Sequence, residues 1–571
     1  MELNALRARA ERWLGDDPDP TSQAELRAVI EGLPDTAAEL ADRLAGPLTF
    51  GTAGLRGPMR AGPNGMNLAV VRQAAAGLVA WLVERDPTRP LVIGYDARRG
   101  SRRFAEETAR VATGAGRQAL LLPRVLPTPV LAHAVRALDA CAGVMVTASH
   151  NPPQDNGYKV YLGAGLGGVG GDGAQIVPPA DAEIEAAIRS VGPLSQVALG
   201  DPPEILGEEI VASYLDGAVA VLDPDVVEPA ERASLVVAYT AMHGVGAGVL
   251  TEAFEQAGFA RPASVPEQAD PDPTFPTVAF PNPEEPGAMD LVLGLAAIVD
   301  ADIAIANDPD ADRCAVAIPV AMSDSSPTGG DQRGGYRMLR GDEVGVLLAD
   351  HLMRRGVQGL YATTIVSSSL LRALCAARGQ GYAETLTGFK WIVRAGAGLV
   401  YGYEEALGYC VAPEHVRDKD GITAGLLVAE LAAGLKAELR TLGDRLDELA
   451  MEFGVYATDQ ISFRVDEISA IAEAMANLRA KPPAALLDDA VSSLEDLAPE
   501  TDVVIIRTDS CRVVVRPSGT EPKLKAYLEV VEPVSAGNGA EPRIEDVAPA
   551  RARAAAALSA LRTEVETALG R

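Results

Sequence analysis

The feature that most constrains this chain is a recurring unit: a short β-branched strand runs into a polar loop and then a helical pattern. "PLVIGYDARRGSRRFAEETARVATGAGRQALLLP" (Pro90–Pro123) reads as strand, loop, helix and strand. "SLVVAYTAMHGVGAGVLTEAFEQAGF" (Ser234–Phe259), "DIAIANDPDADRCAVAIP" (Asp302–Pro319) and "GLYATTIVSSSLLRALCAARG" (Gly359–Gly379) repeat that grammar. Short apolar strands alternating with helices require crossover connections, so an α/β fold with largely parallel sheets is expected. At 571 residues the chain exceeds one ordinary core, since domains run to roughly 100–200 residues each. Four domains are expected, at 1–203, 204–320, 321–445 and 446–571. The composition break at "GDPPEIL" (Gly200–Leu206) marks a linker. "MSDSSPTGGDQRGGYR" (Met322–Arg337) marks a mobile polar loop, and Thr423 to Met451 a long helical stretch. The last unit, "DVVIIRTDSCRVVVRPSGTEPKLKAYLEVV" (Asp502–Val531), shows strands around a basic loop, with helix after it.

A net charge of −29 argues against nucleic acid and anionic membrane as bulk partners. An anionic small molecule remains compatible, provided that cations and backbone N–H groups gather in one cleft. Five scattered cysteines with no CxxC spacing read as reduced thiols of a cytoplasmic protein. The amphipathic start "MELNALRARAERWLGDD" carries no signal-peptide core, and no apolar run approaches the ~18 residues of a membrane span.

Four stretches carry chemistry. In "NDPDADR" (Asn307–Arg313), Asp308, Asp310 and Asp312 alternate after an apolar strand. On an extended backbone their carboxylates would point to one side, a hard-oxygen set suited to Mg²⁺. A Ca²⁺ EF-hand loop is excluded, because Arg313 and Pro319 stand where it needs glycine and glutamate. The plain alternative is a solvated acidic turn. In "VVVRPSGTEPKLK" (Val513–Lys525), Arg516, Ser518, Gly519, Thr520 and Lys525 flank a turn that could grip phosphate, or be an ordinary turn. It is not a Walker A loop. "YGYEEALGY" (Tyr401–Tyr409) offers Glu404 and Glu405 to sugar hydroxyls, and "LTFGTAGLRG" (Leu48–Gly57) places Arg56 in a glycine-rich loop. "RDKDG" (Arg417–Gly421), "TGFK" (Thr387–Lys390) and "MHGVG" (Met242–Gly246) are ambiguous singly. His243 and His415 read as structural or substrate-edge residues.

"VMVTASHNPPQDNGYKVY" (Val144–Tyr161) sets Ser149 directly before His150. A serine hydrolase would show GxSxG at a strand–helix elbow, which is absent here. Adjacent side chains generally project apart, so His150 is expected to be a poor base for Ser149. A hydroxyl at a strand end, an acidic triad and a phosphate turn together suit phosphoryl transfer through a phosphoserine.

"TASHNP" with "NGYK", "DPDADR", "EEALGY" and "RPSGTEPK" resemble the α-D-phosphohexomutases, in that family's order. "GTAGLRG", "YDAR" and "PNPEEPGAMDL" (Pro281–Leu291) extend the resemblance from about Leu48 to Val531. The N-terminal helical extension and "GTAGLRG" look most like the long subgroup containing phosphoglucomutase-2 and phosphopentomutases. The resemblance implies four domains around a central cleft, three of repeated mixed α/β fold and a smaller C-terminal α+β domain. It implies that Ser149 is phosphorylated and that Asp308, Asp310 and Asp312 hold one Mg²⁺ with the serine phosphate. His150, Lys390, Glu404 and Glu405 would bind substrate, and Arg516, Ser518, Gly519 and Thr520 its non-reacting phosphate. Arg56, Lys159 and Arg313 would lie near the transferring phosphoryl group, with Lys159 as general acid or base. The expected reaction interconverts hexose 1- and 6-phosphates of glucose or mannose, with a sugar 1,6-bisphosphate as intermediate and activator. The alternative is a phosphopentomutase acting on ribose or deoxyribose phosphates. Ala406 stands where many hexomutases carry serine, which weakens any inference about the sugar. The expected partner is the phosphosugar alone, bound by a monomer or homodimer.

Overall fold

The computed structural model describes residues 3–49, 54–320, 332–333, 335–464, 468–518, 523–536 and 541–570. Three helices, Leu3–Asp16, Pro20–Glu31 and Ala37–Arg43, form the N-terminal extension around Leu6, Leu26 and Leu40. Asp19 caps the second by accepting from the Thr21 N–H, and Pro20 sits in its first turn, where a missing N–H costs nothing.

Four main sheets follow. The first orders its strands Leu55–Pro58, Asp155–Leu162, Ala142–Val146, Leu91–Tyr95, Ala119–Leu121 and Glu204–Ile205, with Ala174–Gln175 beside Asp155–Leu162. Its last four strands are mutually parallel, and the first two run antiparallel to each other. The second orders Gln332–Arg333, Tyr336–Met338, Ala315–Pro319, Ile303–Ala306, Val237–Thr240 and Ala263–Ser264. The third orders Gly381–Thr385, Leu360–Thr364, Leu399–Glu404 and Gly408–Cys410. The fourth, Val455–Arg464, Lys523–Glu532, Cys511–Pro517, Val504–Arg507 and Ser493–Asp496, is antiparallel throughout. Helix Val547–Ala568 packs on it.

Four expectations need correction. Residues 302–319 are not a strand–loop–helix unit: Ile303–Ala306 and Ala315–Pro319 pair antiparallel around the acidic loop. The segment expected as a linker carries Glu204–Ile205, which pairs with Ala119–Leu121, so the first sheet passes the border expected at 203. The helical stretch from Thr423 is two helices, Gly421–Ala437 and Leu442–Phe453. Leu439 takes a φ of 59°, and a capping box between Thr441 and Asp444 starts the second, so a border at 445 would cut it. Of the expected loop at 322–337, residues 322–331 and 334 lie outside the described residues, while Tyr336–Met338 is strand.

One apolar core runs through the first three sheets without a break, taking Val92 and Tyr161 from the first, Tyr239 and Ile305 from the second, and Tyr361 and Tyr403 from the third. Helix Gly421–Ala437 is apolar on all sides and buried within it, which explains why it lacks a polar face. The fourth sheet has a core of its own around Ile506, Val513 and Leu528. It meets the rest through two smaller apolar patches. Ile365 and Val366 pack on Val503, Val514 and Tyr527 in one, and Ala450, Val455 and Val547 meet in the other. The first three domains thus form a single block, and the fourth is the one that a hinge could swing. All five cysteines are buried and unpaired. No helix among the described residues is long and apolar enough to cross a membrane.

Candidate active site

Ser149 lies just past strand Ala142–Val146 at the carboxyl edge of the first sheet, where α/β folds place ligand sites. Its φ is +50°, a left-handed conformation that few non-glycine residues adopt. The strain is held by its surroundings. The Ser149 N–H donates to Thr147 Oγ1 at 2.9 Å. Arg98 grips the loop from behind: Nη2 donates to Ser149 O at 2.6 Å and also to Asn151 O, while Nη1 donates to Pro152 O at 2.9 Å and Asp155 O at 3.1 Å. The expectation that Ser149 and His150 diverge is overturned. The left-handed turn swings them together, with Ser149 Oγ 3.1 Å from His150 Nδ1. Ser149 Oγ donates instead to Asp308 Oδ2 at 2.7 Å. Burial and the neighbouring Arg313 and Arg56 hold the His150 pKa well below its usual value, so the imidazole is neutral.

The three aspartates converge, but not as an extended strand. They occupy a tight turn after Ile303–Ala306 in which Ala311 has a φ of 52°. One carboxylate oxygen from each lies within 4.8 Å of the others, and all three residues are buried. Asp310 Oδ2 accepts from Thr128 Oγ1 at 2.6 Å and Lys159 Nζ at 2.7 Å. Asp312 Oδ2 accepts from Lys159 Nζ at 2.9 Å, and Lys419 Nζ stands 3.3 Å from it. Asp310 Oδ1 and Asp312 Oδ1 are buried with no hydrogen-bond partner. Orphaned buried carboxylate oxygens are costly unless something fills the gap. Three clustered carboxylates with free oxygens are the donor set of a hard divalent cation.

Electrostatics follow from burial. Burial drives the Asp308 pKa well above its normal range, and Asp312 and Asp310 reinforce the shift. Burial pushes Asp310 and Asp312 the same way, and Asp312 adds to it at Asp310, but Lys159, with Thr128 at the first and Lys419 and Arg313 at the second, outweighs this and both pKa values fall. Burial alone would depress Lys159; Asp310 and Asp312 reverse that, so its pKa is raised and it keeps its proton. Arg56, on strand Leu55–Pro58, points Nη1 toward Asn151 Oδ1 at 3.4 Å. Arg313 donates through Nη1 to Glu284 Oε2 at 3.2 Å. The Nε groups of both are buried and unpartnered, leaving guanidinium N–H donors free beside Ser149 and the aspartates.

Glu404 closes strand Leu399–Glu404, and its carboxyl pKa is pushed up to about 7 by burial, against the pull of Lys419. Glu405 accepts through Oε2 from Ser367 Oγ at 3.2 Å and Thr364 Oγ1 at 3.3 Å. Lys390 faces Asp181 and Arg394 over the Trp391 ring, so its charged neighbours differ from those of Glu404. On the fourth domain, Arg516 Nη1 donates to Tyr527 Oη at 3.4 Å, and the Ser518 N–H donates to Lys523 O at 2.7 Å. Gly519 and Thr520, expected in the same grip, lie outside the described residues. Lys525 is part of this region too: burial lowers its pKa, and the charge of Glu405 opposes the shift.

Arg98, Thr128 and Lys419 are functional candidates that the motif reading left out of the site. "YDAR" and "RDKDG" hold the signals for the first and last; Thr128 has none, because its partner Asp310 is 182 residues away. His243 and His415 each contact neighbouring side chains of the fold. His243 Nε2 sits 2.8 Å from Thr277 Oγ1, and His415 stacks on Tyr214 with ring centroids 5.2 Å apart.

Comparison with known proteins agrees with this geometry. The chain matches the four phosphoglucomutase/phosphomannomutase domain models: alpha/beta/alpha domains I, II and III at residues 47–193, 212–320 and 340–453, and the C-terminal domain at 461–545. A Haemophilus influenzae protein named as a probable phosphomannomutase is 45% identical over 81% of this chain and 93% of its own length. The phosphopentomutase of Mus musculus is 33% identical over 91% of this chain and 90% of its own. Among solved structures, a "putative phosphomannomutase" from Thermus thermophilus superposes with a TM-score of 0.68 at 26% identity, covering 91% of this chain and 99% of that one. The chain therefore belongs to the phosphoglucomutase/phosphomannomutase family, the α-D-phosphohexomutases, and is an isomerase of the phosphotransferase type.

Proposed function

We propose that this enzyme moves a phosphoryl group between the two ends of a hexose monophosphate, glucose or mannose 1-phosphate and 6-phosphate, through a phosphorylated Ser149. The observation that carries this is Ser149 Oγ, held in a left-handed turn 2.7 Å from Asp308 Oδ2 in the buried aspartate cluster. In the first half-reaction the sugar's free hydroxyl oxygen bonds to phosphorus as the bond from phosphorus to Ser149 Oγ breaks. The hydroxyl loses its proton and Ser149 Oγ regains one. The sugar bisphosphate then presents its other phosphate, and the reverse transfer restores phospho-Ser149.

The side chains have separate tasks. Lys159, kept protonated by Asp310 and Asp312, relays the proton: Nζ gives one to Ser149 Oγ as it leaves and takes the one that the sugar hydroxyl gives up, so the lysine ends protonated as it began. The free guanidinium N–H groups of Arg56 and Arg313, with neutral His150, cradle the oxygens of the transferring group. Glu404 and Glu405 accept sugar hydroxyls, and Arg516 with Ser518 meets the phosphate that is not reacting, through one grip for both orientations. Asp308, Asp310 and Asp312 fit Mg²⁺, on the strength of the unpartnered oxygens of Asp310 and Asp312. Bound there, Mg²⁺ would neutralise charge on the transferring group. The small contacts joining the fourth domain suit closure over the sugar followed by release.

A second reading, phosphopentomutase, is favoured by the near full-length likeness to the mouse phosphopentomutase and by Ala406. The test is a coupled mutase assay on glucose, mannose, ribose and deoxyribose 1-phosphates with Mg²⁺ and trace sugar bisphosphate. Hexose turnover that disappears in Ser149→Ala is expected. Higher kcat/KM on a pentose would select the second reading, and wild-type turnover by the alanine variant would overturn both.

A further inference from the structure

The fourth domain meets the third through one face of two paired strands. On strand Cys511–Pro517, Cys511, Val513 and Val515 point into the domain's own core, so Arg512, Val514 and Arg516 lie on the opposite face. Strand Lys523–Glu532 pairs with it antiparallel and repeats the pattern. Leu524, Ala526 and Leu528 enter the core, and Lys525, Tyr527 and Glu529 lie on the other side. The register arranges these residues in three rungs: Arg512 opposite Glu529, Val514 opposite Tyr527 and Arg516 opposite Lys525.

Each rung has its own partner. Val514 and Tyr527 pack on Ile365 and Val366, in the loop that follows strand Leu360–Thr364. Glu529 holds the end of that loop, accepting from the Ser369 N–H at 2.7 Å and from Ser369 Oγ at 2.5 Å. Arg512, 8% exposed in its side chain, donates through Nη2 to Ser367 O and through Nη1 to Ile365 O at 3.4 Å. The rung of Arg516 and Lys525 is free of this loop. It lies four residues beyond Arg512, or ~13 Å along the strand.

Ser367 faces two ways. Its carbonyl is held by Arg512, whereas its hydroxyl holds the sugar loop. Ser367 Oγ donates to Glu405 Oε2 at 3.2 Å and accepts from the Glu405 N–H at 3.2 Å. The Ser368 N–H fixes the same loop to the third domain by donating to Asp342 Oδ1 at 2.7 Å. A chain of contacts thus runs from Arg516 down one strand to Arg512, across to Ser367 and on to Glu405.

We propose that Arg512 and Ser367 are positioning residues that set the span between Glu405 and the phosphate grip, and with it the length of sugar phosphate that the enzyme prefers. The proposal rests on the mutase reading above. Neither residue touches the sugar. A sugar that engages Glu405 with its hydroxyls and Arg516 with its non-reacting phosphate must bridge a fixed distance, and a pentose phosphate is one carbon shorter than a hexose phosphate. Both contacts persist from bound substrate to transition state, so a loosened span acts on KM rather than on kcat.

The test compares wild type, Ser367→Ala, Arg512→Met and the double variant in the coupled assay on glucose and ribose 1-phosphates, with melting temperatures for each. In either single variant, KM for the preferred sugar is expected to rise about tenfold with kcat within threefold of wild type. KM for the poorer sugar should stay within threefold, so discrimination between the two falls. The double variant should lose no more than the worse single one, because both substitutions break one chain. Ser367→Ala keeps the Arg512 contact with the backbone and the apolar patch, so it decides the matter even should Arg512→Met not fold. Equal losses on both sugars, or losses that multiply in the double variant, overturn the proposal while leaving the mutase reading intact. A wild type inactive on every sugar phosphate instead overturns the mutase reading itself.

Discussion

Replacing Arg98 by lysine keeps a positive charge beside Asp96 but removes the planar fork, which separates the charge from the geometry. Arg98 is 1% exposed in its side chain. Its two terminal nitrogens serve different carbonyl pairs, Ser149 O with Asn151 O and Pro152 O with Asp155 O. A lysine ammonium is a single point and can reach one pair only. The other two carbonyls are left buried and unpaired, at about 1–3 kcal/mol each. A total of about 3 kcal/mol is therefore the expected cost to the strained Ser149 turn. At a factor of ten per ~1.36 kcal/mol, the turn would be in its reactive shape about a hundredfold less often. Burial already lowers the Arg98 pKa, opposed chiefly by Asp96, so a lysine there would also hold its charge poorly. The expected outcome for Arg98→Lys is a kcat about 100-fold below wild type, with a nearly unchanged KM for the sugar phosphate. The assay is steady-state mutase kinetics at saturating Mg²⁺ and bisphosphate. A variant within threefold of wild-type kcat would refute the claim that the fork holds the turn.

Other outcomes follow from the same site. Gly408→Ala should cut kcat/KM at least tenfold, because the added Cβ collides with Lys419 Cδ at 2.3 Å and Glu404 Oε1 at 2.9 Å; a mutase assay reads it. Burial raises the Glu404 carboxyl to about 7. Its carboxylate, the stronger acceptor, forms as pH rises through that value, so kcat/KM should climb there and Glu404→Gln should lose that component of the pH profile. Asp342 is likewise raised by burial to about 7 from 3.8. The folded chain binds this proton more tightly than the unfolded chain. The stabilisation is full below the unfolded value and is lost as pH rises through about 7, worth up to about 4 kcal/mol by linkage. Melting temperatures of Asp342→Asn should accordingly fall less than those of wild type across that window. Asp310→Asn should weaken Mg²⁺ binding, measured by calorimetry on the unphosphorylated protein.

Much of this is legible in the sequence where chemistry is local. Ser149 at a strand end, the aspartates of "NDPDADR" and the strand–helix alternation of the first three domains all announce themselves within a few residues. What escapes is set by contacts between distant segments. Thr128 reaches Asp310 across 182 residues, and Ser149 reaches Asp308 across 159. The geometry of the aspartates escapes because alternation suggests an extended strand, whereas Ala311 in a left-handed conformation closes a turn. The same kind of backbone reversal at Ser149 brings His150 beside it against the rule for neighbours. Propensity carries little warning of either, since neither position is glycine or asparagine. Lys419 is visible only within one of several ambiguous short motifs, and its place depends on three domains meeting.

The covalent role of Ser149 is tested most directly by following the phosphoryl group itself. The protein is incubated with Mg²⁺ and a sugar 1,6-bisphosphate, digested, and its peptides mapped by mass spectrometry before and after a chase with sugar monophosphate. One phosphoryl group on Ser149, discharged by the chase at a rate matching kcat and absent from Ser149→Ala, is the expected result. Mutase turnover with no phosphoryl group on Ser149, or with one that the chase leaves in place, would contradict it.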